Sequence, residues 1–216
     1  MKKQEKQLMS ITIQEAEKIV SDMRKRWISL GRNPETLYMY DNHIAGAATV
    51  AKTIAARLDN INPEQAYIAA FLHDIAKIDE SPESMVGRFH GILGYEMLQE
   101  KDPVVARACL LHEIPWNRIT QYTEKKFLGK KDDYNFVLDY ISNTSLTDDD
   151  LLIQLADGMA NKDGIVKLEQ RQKEYEARFN TKIPAEMIEP YLELKQYFDK
   201  KLGFDVYDLF PNTRKK

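Results

Sequence analysis

Apolar residues in this chain recur every three or four positions and almost nowhere alternate, which predicts helices rather than strands. A first helix starts near Thr12 and runs to about Leu30, with Gly31 as its stop signal; Ala16, Ile19, Val20, Met23 and Trp27 form its apolar stripe. Asn33-Pro34-Glu35 places a capping side chain before a proline at the first helical position. The helix it starts reaches about Leu58, and His43, Ala47, Val50 and Ile54 share one stripe, so His43 points where the core residues point. Asn62-Pro63-Glu64 repeats the signal. The helix from Pro63 to about Ala76 is apolar on nearly all sides after Tyr67, which predicts the central, buried helix. Its last turns carry His73 and Asp74, with Lys77 one turn further on.

Ile78 to Gly87 is polar, contains Pro82 and reads as a loop. Phe89 to Gln99 is a short helix carrying His90. Asp102-Pro103 caps a helix that ends at His112, where Glu113-Ile114-Pro115-Trp116 breaks it. Asn117 to Lys131 alternates charged and aromatic residues, as a lid or a solvated connector. Asp133 to Ile141 is helical. Thr147 to Asp150 is a variant capping box with acids in the first turn, and its helix continues through Asp157 to Ala160. Gly164 to Phe179 and Pro184 to Leu202 read as two helices on the outside of the core, Asp205 to Phe210 as a final turn, and Asn212 to Lys216 as a frayed end. The fold class is all-α, a helical core over residues 1–161 with the C-terminal helices of 162–216 packed on it.

Composition narrows the function. The chain has 216 residues, enough for one large domain or one with an appended subdomain. With 43% hydrophobic and 30% charged residues it is an ordinary soluble globular sequence. A net charge of -3 argues against a broad basic face for a nucleic-acid duplex, although a local basic pocket for a small phosphate stays open. Cys109 is the one cysteine, which excludes an intramolecular disulfide; its apolar surroundings suggest a buried thiol. Met1 to Ser10 lacks the apolar core of a signal peptide, and no apolar run approaches a membrane span. A cytoplasmic protein is the default expectation, and a homo-oligomer is compatible with everything in the sequence.

The four histidines, His43, His73, His90 and His112, fall on four different predicted helices, each at or near an apolar stretch. Any one alone reads as a core or surface histidine. Together with Asp74 and Asp157 they would leave six unpaired polar groups in or near a core, at large cost. One shared site resolves all six, and a divalent cation is the simplest common partner for imidazoles and carboxylates.

The order His43, then His73-Asp74 within HDIAK, then Asp157 within QLAD resembles the HD-domain phosphohydrolase superfamily over about Asp41 to Ala160. His90 in HGILG and His112 in LLHE stand where many members carry two further histidines. The resemblance implies an all-helical fold and one or two divalent metals, with iron, manganese, zinc, nickel, cobalt and magnesium all open. It implies that His43, His73, Asp74 and Asp157 hold the first ion, that Asp74 bridges if there are two, and that His90 and His112 hold the second. With one ion, His90 and His112 would instead orient water or bind phosphate. Lys77 would reach the phosphate as a point charge, or else sit solvated at a helix end. The nearest pattern is the YqeK-like branch, similar to symmetrical dinucleoside tetraphosphate hydrolases. The HD-GYP phosphodiesterases match less well, since Leu111 precedes His112 and the Gly-Tyr-Pro signature is missing. Lys77-Ile78-Asp79-Glu80 does not match the stringent-response hydrolases.

The expected activity is therefore metal-assisted hydrolysis of a nucleotide or other small phosphate ester. The alternatives are a metal-binding regulatory module without turnover and a structural helical bundle. Arg88 and Arg118 are candidate phosphate contacts, Trp116 and Tyr122 candidate stacking surfaces, and Glu113 a candidate partner for His112. Each has an ordinary reading as surface charge, packing or exposed acid.

Overall fold

The caps read from the sequence set the register of the helices that carry the site. The computed structural model describes residues 10–77, 88–120, 124, 127, 130–211 and 213. Among these residues the α-helices are α1 (Ile13–Ser29), α2 (Pro34–Ala55), α3 (Pro63–Leu72), α4 (His90–Leu98), α5 (Pro103–Leu111), α6 (Lys131–Ser142), α7 (Asp148–Gly158), α8 (Leu168–Phe179) and α9 (Ala185–Leu202). The expected all-α class holds. Asn33, Asn62 and Asp102 each cap a helix that opens on proline, accepting from backbone amides two or three residues on. Thr12 with Glu15, and Thr147 with Asp150, form reciprocal capping boxes.

The C-terminal third departs from the expected pattern. The helix expected from Gly164 starts only at Leu168, and the one expected to reach Ala160 stops at Gly158. Between them, Ala160–Asn161 (β1) and Gly164–Ile165 (β2) pair as a two-residue antiparallel hairpin. Asn161 Oδ1 accepts the Asp163 amide at 2.8 Å and Gly164 takes φ +98°, so the chain reverses where a helix would have to run straight. Such a short ladder leaves no alternating pattern to read.

The hairpin lies against α2 at Gly46. A Cβ there would come within 3.1 Å of the Gly164 backbone carbon, so a larger residue would push the hairpin back by a few tenths of an ångström one turn after His43. α4 and α5 pack as closely: a Cβ on Gly94 would lie 2.8 Å from the Cys109 Cβ. That contact brings the start of α4, with His90, to the end of α5, with His112.

Two hydrophobic clusters frame the middle of the molecule. The larger joins α1, α2, α3, α5 and α7, and it includes Leu194 and Phe198 of α9 and Val206 of the last 3-10 turn. The smaller gathers Phe89, Ile92, Leu110, Leu111, Ile114, Phe127 and Val137 beneath α6. α3 is the most central helix, with Ala66 and Ile68 to Leu72 buried, as its all-round apolar sequence predicts. No helix among the described residues is long and apolar enough to cross a membrane. The expected loop at 78–87, Tyr122, the charged start up to residue 9 and the end at 214–216 lie outside the described residues.

Candidate metal centre

Two of the four histidines sit at helix C-termini, and they end those helices in the same way. The α-helix of α3 stops at Leu72 rather than Ala76. His73 Nδ1 lies 2.6 Å from the Ala70 carbonyl oxygen, and the chain tightens into i to i+3 bonds, Ile75 to Leu72 and Lys77 to Asp74. α5 stops at Leu111, and His112 Nδ1 lies 2.8 Å from the Cys109 carbonyl oxygen. In each case the imidazole Nδ1–H donates to a carbonyl the helix has left without an amide, which turns the other nitrogen inward. His43, in the middle of α2, does the same across the fold: its Nδ1 lies 3.2 Å from the carbonyl oxygen of Ala160 in the hairpin.

The inward nitrogens meet around Asp74. His43 Nε2 is 3.2 Å from His73 Nε2 and 3.1 Å from Asp157 Oδ1. Asp74 Oδ2 lies 3.8 Å from both His43 Nε2 and His73 Nε2. Its other oxygen, Oδ1, lies 3.0 Å from His90 Nε2 and 3.2 Å from His112 Nε2, which are 3.3 Å apart. Asp74 thus turns one oxygen to each of two histidine pairs. Glu113 Oε2 is 3.9 Å from His90 Nε2 and completes the second group. His73, Asp74, His90 and His112 are 1 to 4% exposed.

The donor set fits a cation better than it fits itself. With Nδ1–H given to a carbonyl, neutral His43 and His73 both present bare lone pairs at Nε2, and these face each other. Asp74 Oδ1 is buried without a well-aligned hydrogen bond, despite two imidazole nitrogens close by. Donor atoms about 2.1 Å from a shared ion, at the angles of tetrahedral or octahedral coordination, would be about 3.0–3.4 Å apart. Most of the closest donor separations fall in or beside that range. The groups that could hold an ion are His43, His73 and Asp157; His73, Asp74 and His112; and His90, His112 and Glu113.

Electrostatics keep His73, Asp74 and Asp157 in their ligating forms. Burial pushes the His73 pKa down from 6.5 to about 4, so its imidazole is neutral near pH 7. Burial opposes ionisation of Asp74, but the Lys77 ammonium and the surrounding imidazoles outweigh it and hold the carboxyl well below its ordinary value. Asp157 is lowered in the same way: burial works against the charge and the His43 contact, with the neighbouring imidazoles, prevails.

All six expected ligand residues are brought together, and Lys77 stands at their edge. Its Nζ is 3.6 Å from Asp74 Oδ1 and 3.4 Å from Glu113 Oε1, so it is engaged with the site's acids rather than solvated at a helix end. The two arginines are not brought in. Arg88 is committed to Asp133 and Glu96 and Arg118 to Glu193, and neither lines the cavity beside the centre. Trp116 is a packing residue: its Nε1 donates to the Pro190 carbonyl and its ring stands edge-on to Tyr197. Cys109 is buried, as its apolar setting suggests, and burial pushes its thiol pKa up.

Gln154 is a residue the sequence pattern did not single out. It is fully buried on α7, one turn before Asp157; its Nε2 donates to the carbonyls of Leu111 and Ile114, and its Oε1 accepts from the Trp116 amide. It fastens α7 to the end of α5 and so fixes Asp157 relative to His112. A lone glutamine inside Leu152-Ile153-Gln154-Leu155 is the only signal that could have marked it. Glu113, read as a partner of His112 or an exposed acid, is grouped with both His112 and His90 and pairs with Lys77.

No curated protein and no solved structure matches the chain. The HD domain model matches residues 40–162, more than half of the sequence, a stretch that holds the four histidines, Asp74 and Asp157. On that match, the chain belongs to the HD domain family.

Proposed function

We propose that this protein is a metal-dependent phosphohydrolase that cleaves a small phosphorylated substrate, a nucleotide or another phosphate ester. HD domain proteins are generally metal-dependent hydrolases. The observation that carries the reading is Asp74, which turns one oxygen to the His43–His73 pair and the other to the His90–His112 pair. His43, His73, Asp74 and Asp157 would hold one divalent ion, and Asp74, His90, His112 and Glu113 a second. Such ions supply Lewis-acid polarisation of a phosphoryl oxygen and a water made nucleophilic near neutral pH.

The chain's own groups complete the chemistry. Asp74, Asp157 and Glu113 would bring three negative charges to the centre, while imidazoles ligate a metal as neutral groups and add none, which leaves net positive charge for an anionic ester if two dications bind. Lys77, on the cavity side of Asp74, is placed to meet a phosphoryl oxygen as a point charge. The likeness to the YqeK-like branch and the cytoplasmic location rest on the sequence pattern. A regulatory module without turnover is the weaker reading, because the ligand set is complete and opens on a cavity.

The test is elemental analysis of the purified protein, followed by assay of manganese-, iron- and zinc-loaded protein on bis-para-nitrophenyl phosphate, para-nitrophenyl phosphate and a nucleotide panel. Bound transition metal and turnover are expected. Metal without turnover on any ester would leave the regulatory reading. Lys77→Ala should lower kcat/KM by about tenfold, the scale of one lost charge-assisted contact; unchanged turnover would remove Lys77 from the site.

A further inference from the structure

The metal centre opens into one cavity of about 340 Å³, and most of the far wall of that cavity comes from α8 and α9. Both helices lie beyond the segment the family model matches. The volume is at the small end of the roughly 300–1,000 Å³ typical of small-molecule sites. Asp74, Asp157, Lys77 and Glu113 give its walls charge, and Tyr175, Met187, Ile188, Tyr191, Trp27 and Met39 line it as well. Lys162, Arg171 and Arg178 add positive charge to the lining and Glu186 negative, Arg171 being paired with Glu174.

The aromatic wall begins immediately beside the ligands. Gly158 follows Asp157, and a Cβ on it would come within 2.6 Å of the Tyr191 ring, so the ring lies directly against the end of α7. α9 is stapled in this position from the other side. Trp116 Nε1 donates to the Pro190 carbonyl at 3.2 Å, and Arg118 pairs with Glu193 at 2.7 Å. Both staples come from the segment just after His112 and Glu113, so the wall and the centre are held to the same short stretch of chain. Trp116 takes φ +57°, a costly conformation for an aromatic residue, and its amide and ring are both tied down there.

Resting on the phosphohydrolase reading above, we infer that the α8–α9 wall is the subsite for the alcohol part of the substrate. It takes a phosphomonoester bearing one flat ring system of about nucleoside size, which lies on Tyr191 while the phosphoryl group sits at the metal centre. A polyol phosphate gives the wall nothing to cover. A dinucleoside polyphosphate carries a second ring system, which a cavity of about 340 Å³ that is open on one side would leave uncovered.

The experiment compares kcat/KM of the manganese-loaded full chain on adenosine 5′-monophosphate, para-nitrophenyl phosphate, glycerol 3-phosphate and diadenosine tetraphosphate. Binding of adenosine 5′-monophosphate to the metal-free chain is followed in parallel by calorimetry. The two ring-bearing monoesters should lead. In Tyr191→Ala the preference for adenosine 5′-monophosphate over glycerol 3-phosphate should fall at least about tenfold, the scale of one lost ring-stacking partner, mainly through KM. Because Tyr191 also packs on Gly158, Met187→Trp serves as a second variant: it fills the cavity and should depress the same ratio. An unmoved ratio in both variants, or diadenosine tetraphosphate as the best substrate, overturns the subsite while the hydrolase reading stands. No turnover of any ester, with saturable binding that Tyr191→Ala weakens, overturns the hydrolase reading while the subsite stands. Neither turnover nor binding overturns both.

Discussion

Asp102, Asp133 and Asp150 are 3, 7 and 5% exposed, as buried as Asp74 at 4%, yet their surroundings are of a different kind. Asp102 accepts from the amides of Val104, Val105 and Ile11 and from Gln65 Nε2. Asp133 accepts the Phe89 amide and Arg88 Nε. Asp150 accepts from Arg107 Nε and Nη2, the Thr147 amide and the Thr147 hydroxyl. Every one of these carboxylates is surrounded by donors and belongs to the architecture. Asp74 instead faces imidazole nitrogens, and its Oδ1 has no aligned donor. Burial alone therefore does not mark a functional acid. What marks it is burial among groups that compete for the same missing partner.

The contrast can be broken most directly at Asp74. Asp74→Asn should cut kcat/KM of the metal-loaded protein by at least about 10³-fold, the scale on which removing one member of an interdependent catalytic set acts. Steady-state assay with metal analysis would show both activity and bound ion lost. Retained turnover would place Asp74 with the architectural acids. Asp150→Ala should do the reverse. It strips Arg107 of its carboxylate partner and α7 of the side-chain half of its capping box, costing on the order of 3 kcal/mol in urea unfolding, with bound metal retained in the folded fraction. A cost near zero would mean that saturation by donors is not what distinguishes Asp150.

Metal removal sharpens the same point. An ion at about 100 times its dissociation constant adds about 2.7 kcal/mol to wild-type stability. Chelation should lower the melting midpoint of the wild type and of Asp150→Ala, and barely move that of Asp74→Asn. Equal shifts in all three would point to an ion bound elsewhere.

The pH dependence of the metal-free protein comes next. His73 titrates at about 4 in the fold against 6.5 for the ordinary side chain, so the unfolded chain binds the extra proton. Stability from this group is full above about pH 6.5 and is lost as the pH falls toward 4, by on the order of 2–3 kcal/mol. Asp74 and Asp157, both lowered, withdraw their share only below about pH 4, where the unfolded carboxylates take up protons first. Urea melts between pH 7 and 4 should show the loss in wild type and its disappearance in His73→Ala. A flat wild-type profile would mean that His73 is not held neutral by burial.

How far the sequence reached follows from the range of each signal. Helix starts were legible because a cap acts over three residues: Thr12, Asn33, Asn62, Asp102 and Thr147 all cap in the fold. The α3 end and the hairpin are not legible in the sequence because both depend on distant or unpatterned partners. Nothing in Ala160 to Ile165 announces a ladder two residues long. Arg88, Arg118 and Trp116 were candidates for substrate contact because cations and aromatics look alike in sequence whether they meet a ligand or Asp133, Glu193 and Pro190.

The one-dimensional chain determined the helical class, the placement of the caps and the identity of six polar residues that could not all be buried alone. Those are local consequences of periodicity, capping chemistry and the cost of desolvating charge. Only the tertiary structure decided that Asp74 divides its oxygens between two histidine pairs, that Glu113 faces His90, that Gln154 fixes Asp157 to the end of α5, and that α8 and α9 close the cavity. Each of those facts depends on distances of a few ångströms between residues tens of positions apart, and such distances come from packing, which no short stretch of sequence encodes.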